Sequence, residues 1–125
     1  MINKVLKPTD SELEILQVLW DKGEATVRDV HEELVVVKDC GYTTTLKLMQ
    51  IMFEKGLVIR DDSSRTHIYK ANISREKTQQ QLVNKMVNTL FSGSRSQLVL
   101  QALGTHTPSK EELDEIQQLL DSFKQ

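Results

Sequence analysis

Cysteine occurs once in this chain, at Cys40, so no internal disulfide can form and no cluster of thiolate ligands can be assembled. That usage fits a reducing compartment. Long hydrophobic runs are missing as well: no stretch of about 18 or more apolar residues is present, and the opening "MINKVLKPTD" lacks the apolar centre of a signal peptide. The expectation is a cytoplasmic protein without membrane insertion. An excess of basic charge is also absent. The 16 Lys and Arg stand against 18 Asp and Glu, a formal net of −2. Cutting the chain after Asn72 leaves 10 basic and 12 acidic residues before the cut and 6 of each after it. Nucleic-acid-binding domains usually carry a basic footprint, so a case for DNA has to rest on where the charges sit.

Further absences bear on catalysis. The 5 glycines are scattered at helix ends and turns, and no glycine-rich phosphate loop is formed. His31, His67 and His106 lie far apart, and none has a His, Cys or carboxylate three or four residues on, where a helix would bring two ligands together. Ser63, Ser64 and His67 share one polar segment, but a nucleophile and base need an oriented third group and an oxyanion pocket, which an exposed hairpin does not supply. No enzyme activity, no metal and no cofactor are expected. At 125 residues the chain has room for one modest core and an appendage.

What is present is helical periodicity. In "PTDSELEILQVLWDKG" Thr9 and Glu12 have capping-box spacing, Leu13, Leu16, Leu19 and Trp20 fall on one face, and Gly23 stops the helix. Thr26 can cap a second helix whose inner face is Val27, Val30 and Leu34, with Val35 beside them. The β-branched run in "VVVKDCG" predicts fraying there, with Gly41 as the breaker. A third helix is predicted over about Thr43 to Lys55, closed by Gly56. "LVIRDDSSRTHIYKA" then reads as two short strands around a polar turn. Three helices followed by a hairpin is the order of a winged helix-turn-helix.

From about residue 73 the pattern becomes helical only. One stripe carries Leu82, Val83, Met86, Val87, Leu90 and Phe91. "SGS" interrupts it, and a shorter helix follows around Leu98 and Val99. A last helix, with Pro108 in its first turn, carries Leu113, Ile116, Leu119, Leu120 and Phe123. About 50 residues in three amphipathic helices have too little interior to cover these stripes, so pairing with a second copy is the economical solution. The mainly α reading is therefore a winged-helix DNA-binding domain over residues 1–72 and a helical dimerisation domain over 73–125. Leu82, Met86, Leu90, Phe91, Leu98, Leu113, Ile116, Leu120 and Phe123 form the candidate homodimer contact.

The candidate DNA contacts follow from the third helix. At about 100° per residue, Thr45, Leu48, Met49 and Met52 form the stripe that faces the core, leaving Thr43, Thr44, Lys47, Gln50, Ile51 and Glu54 on the other side. The second helix of a helix-turn-helix enters the major groove by its N-terminal residues. Small hydroxyl residues there can bond phosphate or base edges and offer a methyl to thymine. On the wing, Arg65 and His67 are two apart and share a face, whereas Lys70 has the opposite parity and points away. Asp61 and Asp62 would repel phosphate, so the wing tip is not expected to insert.

The segments "LEILQVLWDKGEATVRDVHEEL", "YTTTLKLMQIMFEKGLVIR", "RTHIYKA", "LVNKMVNTLFSGSRSQLVLQAL" and "EELDEIQQLLDSF" resemble the penicillinase-repressor family (BlaI/MecI/CopY) over nearly the whole chain. The resemblance implies a bacterial homodimeric transcriptional repressor on palindromic operator DNA. Thr43, Thr44 and Lys47 would be its exposed recognition-helix residues and Arg65 its wing residue. It further implies inactivation by a membrane-linked sensor protease. Three departures stand out. Ile51 occupies a position where many relatives have arginine, which implies either a lower DNA affinity or a charge supplied by Lys38, Lys55 or Arg60. No Asn-Phe dipeptide, the bond cleaved in antibiotic-responsive members, occurs anywhere. With Cys40 alone, the paired cysteines of the copper-responsive branch are absent. The competing reading, which the net acidity keeps open, is a winged-helix module that binds another protein and no DNA.

Overall fold

The computed structural model describes residues 7–124. Its elements run α1 (Asp10–Lys22), α2 (Val27–Val37), α3 (Tyr42–Lys55), β1 (Val58–Asp61), β2 (Ile68–Ala71), α4 (Arg75–Leu90), α5 (Arg95–Gly104) and α6 (Lys110–Ser122). The chain divides into two compact units, one ending at Thr78 and one beginning at Gln79, so the division falls within α4.

In the first unit, side-chain chemistry sets the helix starts. Thr9 Oγ1 accepts from Glu12 N and Glu12 Oε1 accepts from Thr9 N, closing a capping box on α1; Thr26 and Asp29 do the same on α2. Gly23 and Gly56 end α1 and α3 at positive φ, a backbone state that glycine reaches without the steric cost of a Cβ. The inner faces of the three helices bury Ile15, Leu16, Leu19, Val30, Leu34, Met49 and Met52 in one core, which Leu57, Val58 and Tyr69 complete from the wing. Trp20 lies half-buried against this core, and its indole N–H donates to the Ile73 carbonyl at 2.9 Å. The strands pair antiparallel with Arg60 opposite Tyr69.

Several local expectations require correction. The valine run does not fray: α2 continues through Val37, and Val35 lies on its outer side, with Val36 and Val37 80% and 75% exposed. Helical hydrogen bonding, extended by the bond from Lys38 N to the Leu34 carbonyl, outweighs the weak propensity of three β-branched residues. Gly41 serves as the N-cap of α3, which starts at Tyr42 rather than Thr43. Pro108 lies just before α6, whose capping box is Ser109 with Glu112.

The second unit contains α5, α6 and most of α4. A turn at Ser92 and Gly93, both at positive φ, separates α4 from α5. Among the described residues of this unit only Val87 is a buried hydrophobic. Leu82, Phe91, Leu98 and Ile116 are half-buried, whereas Met86, Leu90, Leu113, Leu120 and Phe123 are exposed.

Candidate nucleic-acid interface

The three consecutive threonines divide by direction. Thr45 points inward and is buried; its Oγ1 lies 3.2 Å from His31 Nδ1 and 3.5 Å from the Gly41 carbonyl. Thr43 and Thr44 are exposed. None of the three caps the helix, because Gly41 holds the cap position and forms no side-chain cap bond. The leading amides of α3 therefore retain the unpaired donors and positive dipole end common to helix starts.

The same rotation places the rest of the helix. Thr43, Lys47, Gln50 and Glu54 are exposed along the outermost line. Ile51 is half-buried on one flank. On the other flank, Tyr42, Leu46 and Gln50, spaced by four, face the wing. Met49 and Met52 are fully covered, and Leu48 packs partly buried against the core.

Between this flank, the first turn of α2 and the wing lies a cleft of about 550 Å³. Arg28, Arg60, Arg65 and His67 contribute the ionisable walls. Thr26, Thr66 and Gln50 add neutral donors, and Val27, Tyr42, Leu46 and Tyr69 supply apolar surface. Among the described residues none lining the cleft is acidic. Arg65 and His67 both line this cleft, but so does Thr66 between them; both sit in the turn rather than in β2, so strand alternation is not what places them. Lys70 lines a separate hollow with Glu24 and Asp61.

Two arginines of the cleft are held in place. The Arg28 guanidinium stands 5.5 Å over the centre of the Tyr42 ring, which also forms a T-shaped pair with His31 at a 5.5 Å centroid distance. Arg60 stacks 4.1 Å over Phe53 and pairs with Asp62 at 2.7 Å. Asp62 Oδ1 also lies 3.5 Å from His67 Nδ1. Asp61 turns away to accept from Ser63 N at 2.9 Å, and bonding to Ser63 lowers its pKa.

Of the three residues that could offset Ile51, two are engaged elsewhere. Lys38 binds Glu14 at 2.8 Å, a hydrogen bond that raises the lysine pKa. Lys55 binds Glu12 at 2.8 Å. Arg60 lines the cleft but is itself paired with Asp62, so each of the three already has a carboxylate partner. Lys47, Arg28 and Arg65 form no ion pair among the described residues. Sequence reasoning did not single out Arg28, Tyr42 or Leu46. The spacing of Tyr42, Leu46 and Gln50 was a usable signal, but the approach of the α2 first turn to that line is tertiary information.

Comparison with known proteins places the chain among regulators. A family model described as penicillinase repressor matches residues 8–122. The transcriptional regulator BlaI of Mycobacterium tuberculosis is 33% identical over 94 residues, covering 74% of this chain and 68% of that protein. The penicillinase repressor of Bacillus licheniformis is 24% identical over 98% of this chain and 96% of its own length. The methicillin resistance regulatory protein MecI of Staphylococcus aureus is 22% identical over 97% of this chain and 98% of its own. The solution structure of the Bacillus licheniformis BlaI monomeric form in complex with the blaP half-operator superposes with a TM-score of 0.51 at 23% identity. It covers 58% of this chain and 89% of that one. This likeness shows the winged-helix fold.

Proposed function

The chain belongs to the penicillinase repressor family, and on that premise we propose that it is a transcriptional repressor that binds palindromic operator DNA as a homodimer. Each α3 enters a major groove by its leading turn. There Thr43, Thr44, Lys47, Gln50 and Ile51 meet base edges and the groove wall, and Arg65 with His67 reaches the neighbouring backbone. The bound dimer obstructs polymerase. Pairing runs through the exposed stripes of α4, α5 and α6, and the protein acts in the cytoplasm without catalysing a reaction.

The observation that carries this reading is the segregation of charge. A chain of net −2 gathers three arginines and a histidine around one cleft beside the exposed threonines; Asp62 pairs with Arg60 and lies near His67, while Arg28 and Arg65 form no ion pair among the described residues. Two arginines outside any ion pair among the described residues, with exposed Lys47 nearby on α3, thus stand on the surface that would meet a duplex, which weakens the case for a protein-binding module. Selection of bound fragments from the host genome, followed by a gel shift, is the direct test. Recovery of a palindromic sequence retarded at modest salt is expected. No enriched sequence and no retarded band would favour the protein-binding module.

A further inference from the structure

We propose that the cleft between the α2 first turn, α3 and the wing is a phosphodiester slot, and that Arg28, positioned by Tyr42, is one of its phosphate contacts. The proposal rests on the DNA-binding reading and assigns to the interface two residues that neither the spacing of the third helix nor the wing pattern marks.

Tyr42 occupies the first position of α3, 40% exposed, and its ring meets both the His31 ring, in a T-shaped pair, and the Arg28 guanidinium. His31 is in turn tied to buried Thr45 at 3.2 Å. An arginine on a solvated helix turn ordinarily samples many rotamers, and ordering it on binding opposes affinity. Stacking on an aromatic face removes part of that disorder beforehand and leaves the N–H fork free, since the cation–π contact engages only the guanidinium face. The first helix of a helix-turn-helix crosses the DNA backbone, which is where Arg28 stands. Across the cleft, Arg65 supplies a second guanidinium, while Tyr42 and Leu46 form an apolar floor that suits a deoxyribose between two phosphates. An extended sugar–phosphate strand presents this alternation of anion and apolar ring.

The test uses the full chain and a mixed-sequence duplex of about 30 base pairs, because backbone contacts act on any duplex. Association constants are measured over a salt series for the wild type, Arg28→Gln, Tyr42→Ala and the double variant. Arg28→Gln should lower the slope of log K against log salt by about 0.9 per protomer, one phosphate's worth. Tyr42→Ala should weaken binding in the wild type and have little further effect once Arg28 is replaced, the non-additivity of a residue acting through its neighbour. A Tyr42→Phe variant keeps the ring and should bind as the wild type does. An unchanged slope in Arg28→Gln, with wild-type binding intact, overturns the slot and leaves the repressor reading standing. Absence of wild-type binding to this duplex and to any genomic fragment overturns both. A melting-temperature rise with inorganic phosphate that Arg28→Gln abolishes, alongside an unchanged duplex slope, would assign the slot to a free anion and also overturn the proposal.

Discussion

Glu12 is 1% exposed, an environment that raises a carboxyl pKa, yet its hydrogen bonds to Lys55 and Thr9 outweigh the burial and hold the value below the ordinary 4.5. A lowered pKa stabilises the fold above about pH 4.5, and that contribution is lost as pH falls through the folded-state value. Lys55→Met should therefore destabilise the protein by about 1–3 kcal/mol at neutral pH by stranding a buried carboxylate. The deficit relative to wild type should shrink below pH 4.5, which chemical denaturation at several pH values would reveal. Lys47 is exposed and forms no ion pair among the described residues, so nothing in the fold depends on its charge. Lys47→Ala should leave the melting temperature unchanged while flattening the salt dependence of operator binding by about 0.9 in slope; an unaltered slope would remove it from the contacts. The inward and outward threonines were legible because a helical period assigns them from Met49 and Met52. The His31, Tyr42 and Arg28 stack was not, since it depends on how two helices approach.

Among elements, α3 carries most of the proposed contacts, and its C-terminal stop leads directly into the wing. Gly56 holds φ 85° and its amide reaches the Met52 and Phe53 carbonyls. A Cβ there would meet no atom within 4 Å. The penalty of Gly56→Ala is therefore backbone strain alone, about 1–2 kcal/mol, visible as a lower melting temperature with an unchanged denaturant m-value. Thr26→Ala should cost about 1 kcal/mol through loss of the α2 cap. Helix starts could be read from the sequence because Thr9 and Thr26 write capping boxes into it. The start of α3 was misplaced by one residue because glycine at the cap leaves no such signature. The length of α2 was underestimated because propensity undervalues hydrogen bonds already propagating along a helix.

At the scale of the molecule, the second unit buries only Val87 among its described residues, while Leu90 and Phe123 remain 69% and 75% exposed. Apolar surface of that extent is a hallmark of an interaction face. Replacing Leu90 and Phe123 together by Asp should shift the protein to a monomer in light scattering and weaken operator binding more than Lys47→Ala, since coupled half-sites multiply affinity; retention of the wild-type mass would move the pairing surface elsewhere. The helical stripes announced this face, whereas which side of each helix a second copy would cover is beyond what periodicity encodes. The arginine-lined cleft in an acidic chain has a kinetic consequence as well. Beyond a screening length of about 8 Å a duplex meets a faintly repulsive object. Attraction sets in only when the right side turns towards it. Random chromosomal sequence should then hold the protein briefly, so that few copies are sequestered away from the site they regulate.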